Sequence, residues 1–241
     1  MKRRNKLLIA IIIVILIGVV AIIGQIFYLG NNTTLDEGNR TILVCAIDES
    51  EVRPGMGACD MAFLVYLDNG SLVNYTAIYP GGMTHPTEAE PAEGQALGAG
   101  SKLLLHDSFW EKDNKRSMEL AKEIVQHNMN MTQPIDAVVA INTQALDAIL
   151  SSAGTVTVNG EKVNVSGIDI IREDQYGNGE SRGDAVLELV KAIAKSADNP
   201  NVKAKMVQAA IDQYSKGNIV MEPAGDFVGL LASKGFSNLF G

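Results

Sequence analysis

The sequence is poor in the residues and motifs that identify the common classes of enzyme. Its 241 residues include only two cysteines and three histidines. It contains no H-E-x-x-H, C-x-x-C or G-x-x-x-x-G-K-[ST] motif. The segment 98–102 imitates a phosphate-binding loop, but it lacks the Gly-Lys order and does not follow a buried strand. The sequence therefore does not indicate a zinc protease, a dithiol redox protein or a P-loop protein.

Positive charge is scarce beyond the first 30 residues. Those residues carry four basic groups and no acidic group, so the rest of the chain holds 16 basic and 28 acidic residues, a net charge of −12. An acidic surface of this kind repels the phosphate backbone of nucleic acids. We therefore exclude a protein that binds nucleic acid by electrostatic attraction.

One long hydrophobic run stands out. Residues 7–24 are 18 consecutive apolar or glycine positions, and with one interruption at Gln25 the run continues to Leu29, giving 23 residues. As a helix it would be roughly 35 Å long, enough to cross a bilayer core of about 30 Å. A soluble cytoplasmic protein is thereby excluded. A cleaved signal peptide would have a shorter apolar region and an A-x-A-like cleavage site, which this run lacks.

The charges on either side of the run predict its orientation. Four basic residues precede it and acidic residues follow it, so the amino terminus should stay in the cytoplasm. We expect a cell-membrane protein with a single-pass signal anchor and an extracytoplasmic domain. The expected divisions are a cytoplasmic basic tip at 1–6, the transmembrane anchor at 7–29, a stalk at 30–40 and the domain at 41–241.

Strand and helix patterns intermingle after the stalk. Strands are predicted at 41–47, 61–67, 72–79, 136–141, 154–158, 162–165 and 218–221. Helices are predicted at 115–128, 143–152, 184–196, 202–214 and 226–233. Residues 80–100 read as a long irregular segment. The predicted fold class is α/β, with a mixed central sheet flanked by helices.

The cysteines and histidines allow more than one interpretation. Cys45 and Cys59 could form a disulfide outside the cell, or they could be two small buried residues, and the spacing does not decide between these. His127 and His85 read as surface residues. His106 differs because it adjoins Asp107 and an aromatic pair, although a neighbouring His-Asp pair is more often structural than catalytic.

Acidic residues follow the first predicted strand at the place where open α/β sheets bind ligands. Asp48 ends this strand, the next loop carries Glu51 and Arg53, and Asp60 opens the following strand. Carboxylates beside an arginine suit a divalent ion held on a phosphate, and they equally suit the capping of loops.

The chain resembles the LytR-CpsA-Psr family of cell-envelope proteins, which have a membrane anchor followed by one extracytoplasmic domain. The resemblance rests on segments 42–48, 57–60, 79–80 and 136–142, on Leu146 and Leu150, and on segment 154–158.

It is also similar to domain-of-unknown-function family 4012. Two motifs carry this second similarity: E-x-R-P with nearby glycines at 51–57, and L-L-x-D-x-x-W-x-x-D at 104–113. With gaps, the similarity extends from about Thr41 to the final segment 235–241.

The first resemblance implies transfer of a glycopolymer from a polyprenyl pyrophosphate lipid to the cell wall. Family members clamp the pyrophosphate with arginines, hold Mg²⁺ with carboxylates and bind the lipid chain in an apolar pocket. Here Asp48 and Asp60 match acidic positions and would be the metal ligands. Ala58 replaces one expected arginine and Gly81-Gly82 replace an Arg-Asp pair. Arg182 is the one residue that matches the late arginine set.

Three functional hypotheses follow from these departures. The first is an anchored protein that binds an envelope glycopolymer or polyprenyl phosphate precursor, with weakened or no catalysis, using Asp48, Arg53, Asp60 and Arg182. The second is an active phosphotransferase in which Arg53 and His106, beside Asp107, supply the positive charge. The third is a structural envelope protein without a small ligand.

Overall fold

The computed structural model describes residues 34–154, 156–158, 161–163, 199–224 and 226. The predicted anchor at 7–29, the predicted helix at 184–196, residues 227–233 of the last predicted helix, and Arg182 lie outside these described residues. Within the described part of the chain, no helix is both long enough and apolar enough to cross a membrane.

Strands and helices are interspersed along the described chain. The strands are β1 (Asn39–Asp48), β2 (Ala58–Asp68), β3 (Ser71–Ile78), β4 (Thr84–Ala89), β5 (Lys102–Leu104), β6 (Ala137–Asn142), β7 (Val156–Val158), β8 (Glu161–Val163) and β9 (Ile219–Glu222). The helices are α1 (Ala92–Ala96), α2 (Asn114–Asn128), α3 (Thr143–Ala153) and α4 (Pro200–Ser215), with a 3-10 helix at Leu105–Asp107.

The core is a five-stranded mixed sheet in the order β3-β2-β1-β6-β9. β1 pairs in parallel with β6 and antiparallel with β2, and β9 pairs antiparallel with β6. This confirms the predicted α/β class with a mixed sheet. A crossover containing β4, β5 and α2 connects the hairpin β2–β3 to β6, as a parallel pairing requires.

β1 lies in the middle of the sheet and is buried on both faces, as its continuous apolar run predicts. One face packs against α2, which buries Met118, Ala121, Ile124 and Val125. The opposite face forms a second core that includes Ile42, Val139, Ala145 and Met221.

Local sequence signals explain several boundaries. α2 begins after Asp113, whose side chain accepts the backbone N–H of Arg116. α3 begins after Asn142, whose side chain accepts the N–H of Ala145. The β2–β3 turn uses Asn69 and Gly70 with φ of 48° and 75°, the conformation that the Asn-Gly hairpin signal predicts.

The prediction of an irregular segment at 80–100 is wrong. This segment contains β4 and α1, and β4 pairs with β5 in a small separate sheet. The interpretation of His85 as a surface residue is also wrong. His85 is 3% exposed. Its Nε2 lies 2.7 Å from a carboxylate oxygen of Glu123 on α2, and its Nδ1 accepts the N–H groups of Thr87 and Glu88. Contacts with distant residues therefore order a segment whose local sequence favours a loop.

The folded domain also begins earlier than residue 41. β1 starts at Asn39, and Leu35 is completely buried in the second core, against the face that contains Ile42 and Val139. The later part of the predicted stalk is therefore part of the domain.

Candidate functional site

Two glycines fix the path of the loop that follows β1. Gly55 donates its N–H to the carbonyl of Trp110 at 2.7 Å, and a Cβ on Gly55 would overlap the carbonyl oxygens of Phe109 and Glu111. Gly57 has a φ of +131°, and a Cβ on it would overlap the backbone carbonyl of Asp48. The loop is thereby held against the segment that follows the 3-10 helix, which brings residues 51–53 next to residues 106–110.

The 3-10 helix presents His106 and Asp107 to this loop. Leu105 and Phe109 are fully buried on either side of the pair and anchor the segment in the first core. Asp107 is also buried, at 4% exposure, whereas His106 is partly exposed. We refer to the group assembled here as the charged cluster, and its members are Glu51, Arg53, Asp60, Glu90, His106, Asp107 and Trp110.

Arg53 is the structural centre of the charged cluster. Its Nε and Nη2 lie 3.0 and 2.9 Å from the same oxygen, Oδ1 of Asp107. Its Nη2 also lies 3.3 Å from Oε2 of Glu51. The guanidinium carbon sits 4.7 Å from the ring centroid of Trp110, in a cation–π contact. With a side chain only 10% exposed, Arg53 is engaged by two carboxylates and one aromatic ring.

His106 lies among three carboxylates. Its Nδ1 is 3.4 Å from Oδ2 of Asp107, and its Nε2 is 3.3 Å from Oδ1 of Asp60 and 3.6 Å from Oε2 of Glu51. Hydrogen bonding to Asp107 and then to Asp60, opposed by burial, raises the pKa of His106 to about 10. The imidazole therefore carries a positive charge at neutral pH.

Two carboxyl groups deeper in the charged cluster have opposite protonation preferences. Burial raises the pKa of Glu90 to about 7, and the neighbouring carboxylate of Asp107 adds to this effect. Oε2 of Glu90 accepts the backbone N–H of Leu104 at 2.9 Å, while Oε1 is buried without a hydrogen-bond partner among the described residues. For Asp107, burial works against ionisation, but His106 and Arg53 outweigh it and lower its pKa.

Asp48 and the cysteines lie at the same end of the sheet. Asp48 is fully buried, and its Oδ1 accepts the backbone N–H of Ser50 at 2.8 Å. Cys45 and Cys59 are free, buried thiols on neighbouring strands, so the disulfide that their spacing allowed is not formed. A hydrogen bond with Cys45, together with burial, raises the pKa of the Cys59 thiol well above its usual value. Both cysteines contribute to the first core.

The donor atoms fit magnesium poorly. The described residues contain one group of three side chains with mutually close donor atoms: Glu51, Asp60 and His106, all within 4.8 Å of one another. Asp60 belongs to this group and Asp48 does not. Mg²⁺ prefers an octahedral shell of oxygen atoms, and the imidazole nitrogen of His106 is not such a ligand.

The fold brings together four of the six candidate residues, namely Arg53, Asp60, His106 and Asp107. Asp48 is buried at the adjacent strand end, and Arg182 lies outside the described residues. Three members of the charged cluster were not among the candidates. Glu51 and Trp110 belong to the two motifs at 51–57 and 104–113, which could have identified them, whereas Glu90 lies in the segment predicted to be irregular and has no local signal.

Several solved bacterial structures have a fold similar to that of this chain. TagV of Bacillus subtilis has 16% sequence identity and a TM-score of 0.51, with 85% of this chain and 81% of TagV covered. Protein gbs0355 of Streptococcus agalactiae has 17% identity and a TM-score of 0.54, with coverage of 83% and 74%. TagT bound to LIIa-WTA has 14% identity and a TM-score of 0.52, with coverage of 85% and 77%. No curated protein sequence matches the chain.

These neighbours confirm the expected relation to the LytR-CpsA-Psr fold. The sequence profile described as "Protein of unknown function (DUF4012)" matches residues 37–176, which include both motifs and the whole charged cluster. Since the match covers more than half of its length, the chain belongs to the DUF4012 family.

Proposed function

We propose that this chain is a membrane-anchored, extracytoplasmic protein that binds an envelope glycopolymer or its polyprenyl-phosphate-linked precursor, with weakened or no phosphotransferase activity. The fold supports an envelope role, because TagT has been solved in complex with LIIa-WTA and with LI-WTA, which are wall teichoic acid compounds. The hydrophobic run at 7–29 supports the anchor.

The pairing of Arg53 is the observation that carries the proposal. Phosphoryl transfer depends on cations that stabilise the charge developing on the transferred group. Arg53 already contacts Asp107 and Glu51, so a pyrophosphate would have to displace two carboxylates to reach the guanidinium. The same carboxylates would repel the incoming phosphate. The charged cluster is therefore poorly suited to clamp a pyrophosphate.

The exposed side of the charged cluster is better suited to sugar hydroxyl groups. Glu51, Asp60 and His106 are each partly exposed and offer hydrogen-bond acceptors and a donor. Beside them, Val52 is 86% exposed and presents an apolar surface next to these polar groups. Apolar surface flanked by a few oriented polar groups is typical of small-molecule sites.

One observation favours the alternative of an active phosphotransferase. The pKa of about 10 keeps His106 positively charged at neutral pH, so Arg53 and His106 provide two cations within one cluster. Against this, Glu51, Asp60 and Asp107 contribute three negative charges around them. The third hypothesis, a structural protein with no small ligand, predicts that neither binding nor transfer occurs.

The test compares binding and transfer in the same preparation. Full-length protein in lipid nanodiscs would be titrated with wall teichoic acid and with a polyprenyl-pyrophosphate-linked saccharide. It would then be assayed for release of the polyprenyl phosphate in the presence of a peptidoglycan acceptor. We expect saturable binding and transfer far below that of TagT assayed in parallel. Transfer at the rate of TagT would establish the alternative, and the absence of binding would leave the structural hypothesis.

A further inference from the structure

The spacing of the donor atoms around Nε2 of His106 also matches that of a metal site. Nε2 of His106 lies 3.3 Å from Oδ1 of Asp60 and 3.6 Å from Oε2 of Glu51. Two ligands bound tetrahedrally to one zinc ion at about 2.0–2.1 Å are separated by about 3.3–3.4 Å. The two distances are therefore close to those between ligands of one ion.

The other side of the imidazole supports the same interpretation. A metal-binding histidine usually donates its second ring N–H to a carboxylate, which fixes the orientation of the ring. Here Nδ1 of His106 faces Oδ2 of Asp107 at 3.4 Å. Arg53 holds Asp107 through its other oxygen, Oδ1, and so leaves Oδ2 for the histidine. The proposed ion would bind one side of the imidazole and the carboxylate of Asp107 the other, which is the usual carboxylate–histidine–metal arrangement.

We propose that Glu51, Asp60 and His106 bind a divalent first-row transition metal, such as Zn²⁺, in preference to Mg²⁺. One nitrogen and two carboxylate oxygens form a ligand set that suits zinc, whereas magnesium favours oxygen alone. The three side chains come from the loop after β1, the start of β2 and the 3-10 helix.

The carboxylates around His106 favour a cation at this position. Glu51, Asp60 and Asp107 surround the ring of His106, and their negative charges would attract a divalent ion. Because the three ligands are partly exposed, the remaining coordination positions would face solvent, as in metal sites that bind a ligand rather than in closed structural sites.

This inference goes beyond the proposed function, because metal binding can be measured without any glycopolymer. It also removes an apparent obstacle to that function. Arg53 is engaged by carboxylates, but an ion at the exposed side of the cluster could attract the phosphate groups of a polymer. Loss of polymer binding with metal binding intact would count only against the proposed function.

The experiment measures metal content and affinity directly. Full-length protein carrying a tag without histidine would be purified in detergent, stripped with a chelator, and titrated calorimetrically with ZnCl₂ and with MgCl₂. We expect about one equivalent of Zn²⁺ and much weaker binding of Mg²⁺. His106→Gln and Asp60→Asn should weaken Zn²⁺ binding at least about 10- to 100-fold, the range known for disturbed metal shells. The matched control is His127→Gln, since His127 is exposed on α2 and should not affect affinity.

A spectroscopic measurement on the unmutated protein covers the case in which a variant fails to fold. Co²⁺ substituted for Zn²⁺ should give visible absorption bands of a four- or five-coordinate ion with a nitrogen ligand. A spectrum like that of hydrated Co²⁺ would overturn the proposal. So would the absence of Zn²⁺ binding, equal affinity for Mg²⁺, or equal losses in His106→Gln and His127→Gln.

Discussion

Arg53 holds a single oxygen of Asp107 with two of its nitrogen atoms, Nε at 3.0 Å and Nη2 at 2.9 Å. The two residues are 54 positions apart in the sequence. One lies in the loop after β1, and the other ends the 3-10 helix that follows β5. This ion pair therefore joins the two segments of the DUF4012 motifs, and it does so with both side chains largely buried.

Removing the guanidinium should destabilise the domain strongly. Arg53→Ala leaves the buried carboxylate of Asp107 without its closest partner, a change that typically costs about 3–5 kcal/mol. The free energy of unfolding would be measured by urea denaturation, using the fluorescence of Trp110. Trp110 is the sole tryptophan of the chain and stacks on Arg53, so it reports on this region directly.

The control for this experiment is Arg116→Ala. Arg116, on the surface of α2, pairs with Glu88 of β4 and with Glu119 and Glu123 of α2, and such exposed ion pairs contribute about 0–1 kcal/mol. Equal losses for the two variants would mean that Arg53 is only a surface residue in solution.

Gly55 should not tolerate a side chain. In Gly55→Ala the new Cβ would collide with the carbonyl oxygens of Phe109 and Glu111, and overpacking of this kind costs about 1–3 kcal/mol. We expect a lower unfolding temperature by calorimetry and a changed environment of Trp110. Gly81→Ala is the matched control, since a Cβ there meets no atom within 4 Å. An unchanged unfolding temperature for Gly55→Ala would show that the loop is not held against residues 109–111.

Glu90 should make the domain less stable as the pH rises. Its pKa is about 7 in the folded protein, above the ordinary value of 4.5, so the folded state holds the proton more tightly than the unfolded state does. The contribution of Glu90 to the stability is therefore greatest below about pH 4.5. It is lost as the pH rises and Glu90 ionises in the folded protein near pH 7.

Glu90→Gln should remove this dependence and raise the stability at pH 8, with a gain on the order of a few kcal/mol. The amide can still accept the N–H of Leu104, and it stays neutral beside Asp107. The measurement is the free energy of unfolding between pH 4.5 and 8.5. Glu93→Gln, at an exposed position in α1, is the control and should leave the pH profile unchanged. An identical profile for the unmutated protein and Glu90→Gln would contradict the assignment.

The predicted orientation in the membrane can be tested in cells. A tag at the carboxyl terminus should be accessible to added protease in protoplasts, because the basic residues 2–6 should keep the amino terminus inside. A cytoplasmic protein expressed in the same cells serves as the control for lysis. Protection of the carboxyl-terminal tag until the protoplasts are lysed would show that the orientation is wrong.

The sequence predicted the central sheet because its strands carry their own signals. The apolar run of β1 and the Asn69-Gly70 turn define strands and a hairpin without help from the rest of the chain. β4 could not be predicted, because residues outside the strand order it. The contact between His85 and Glu123 depends on α2, and the pairing with β5 depends on the path of the chain between them.

The candidate site, like the fold, could be predicted only in part. Arg53, His106 and Asp107 belong to motifs that are short in sequence, so their types and spacing predicted a role. Their partners were not predictable, since the carboxylates of Glu51 and Asp60 contact the imidazole only after two segments meet. Where the two segments meet, Arg53 contacts carboxylates, although the sequence predicted that it would bind phosphate.

With the membrane span predicted at 7–29, the burial of Leu35 would limit how far the domain can move from the bilayer. Leu35 is fixed in the second core, and the predicted membrane span ends at residue 29. The chain between these points makes six steps from one Cα to the next and can extend at most roughly 20–22 Å. The domain would then stay within a thin layer above the membrane surface, because the segment that joins it to the anchor is short. Compounds anchored in the same membrane are concentrated in that layer, whereas distant layers of the wall lie beyond its reach.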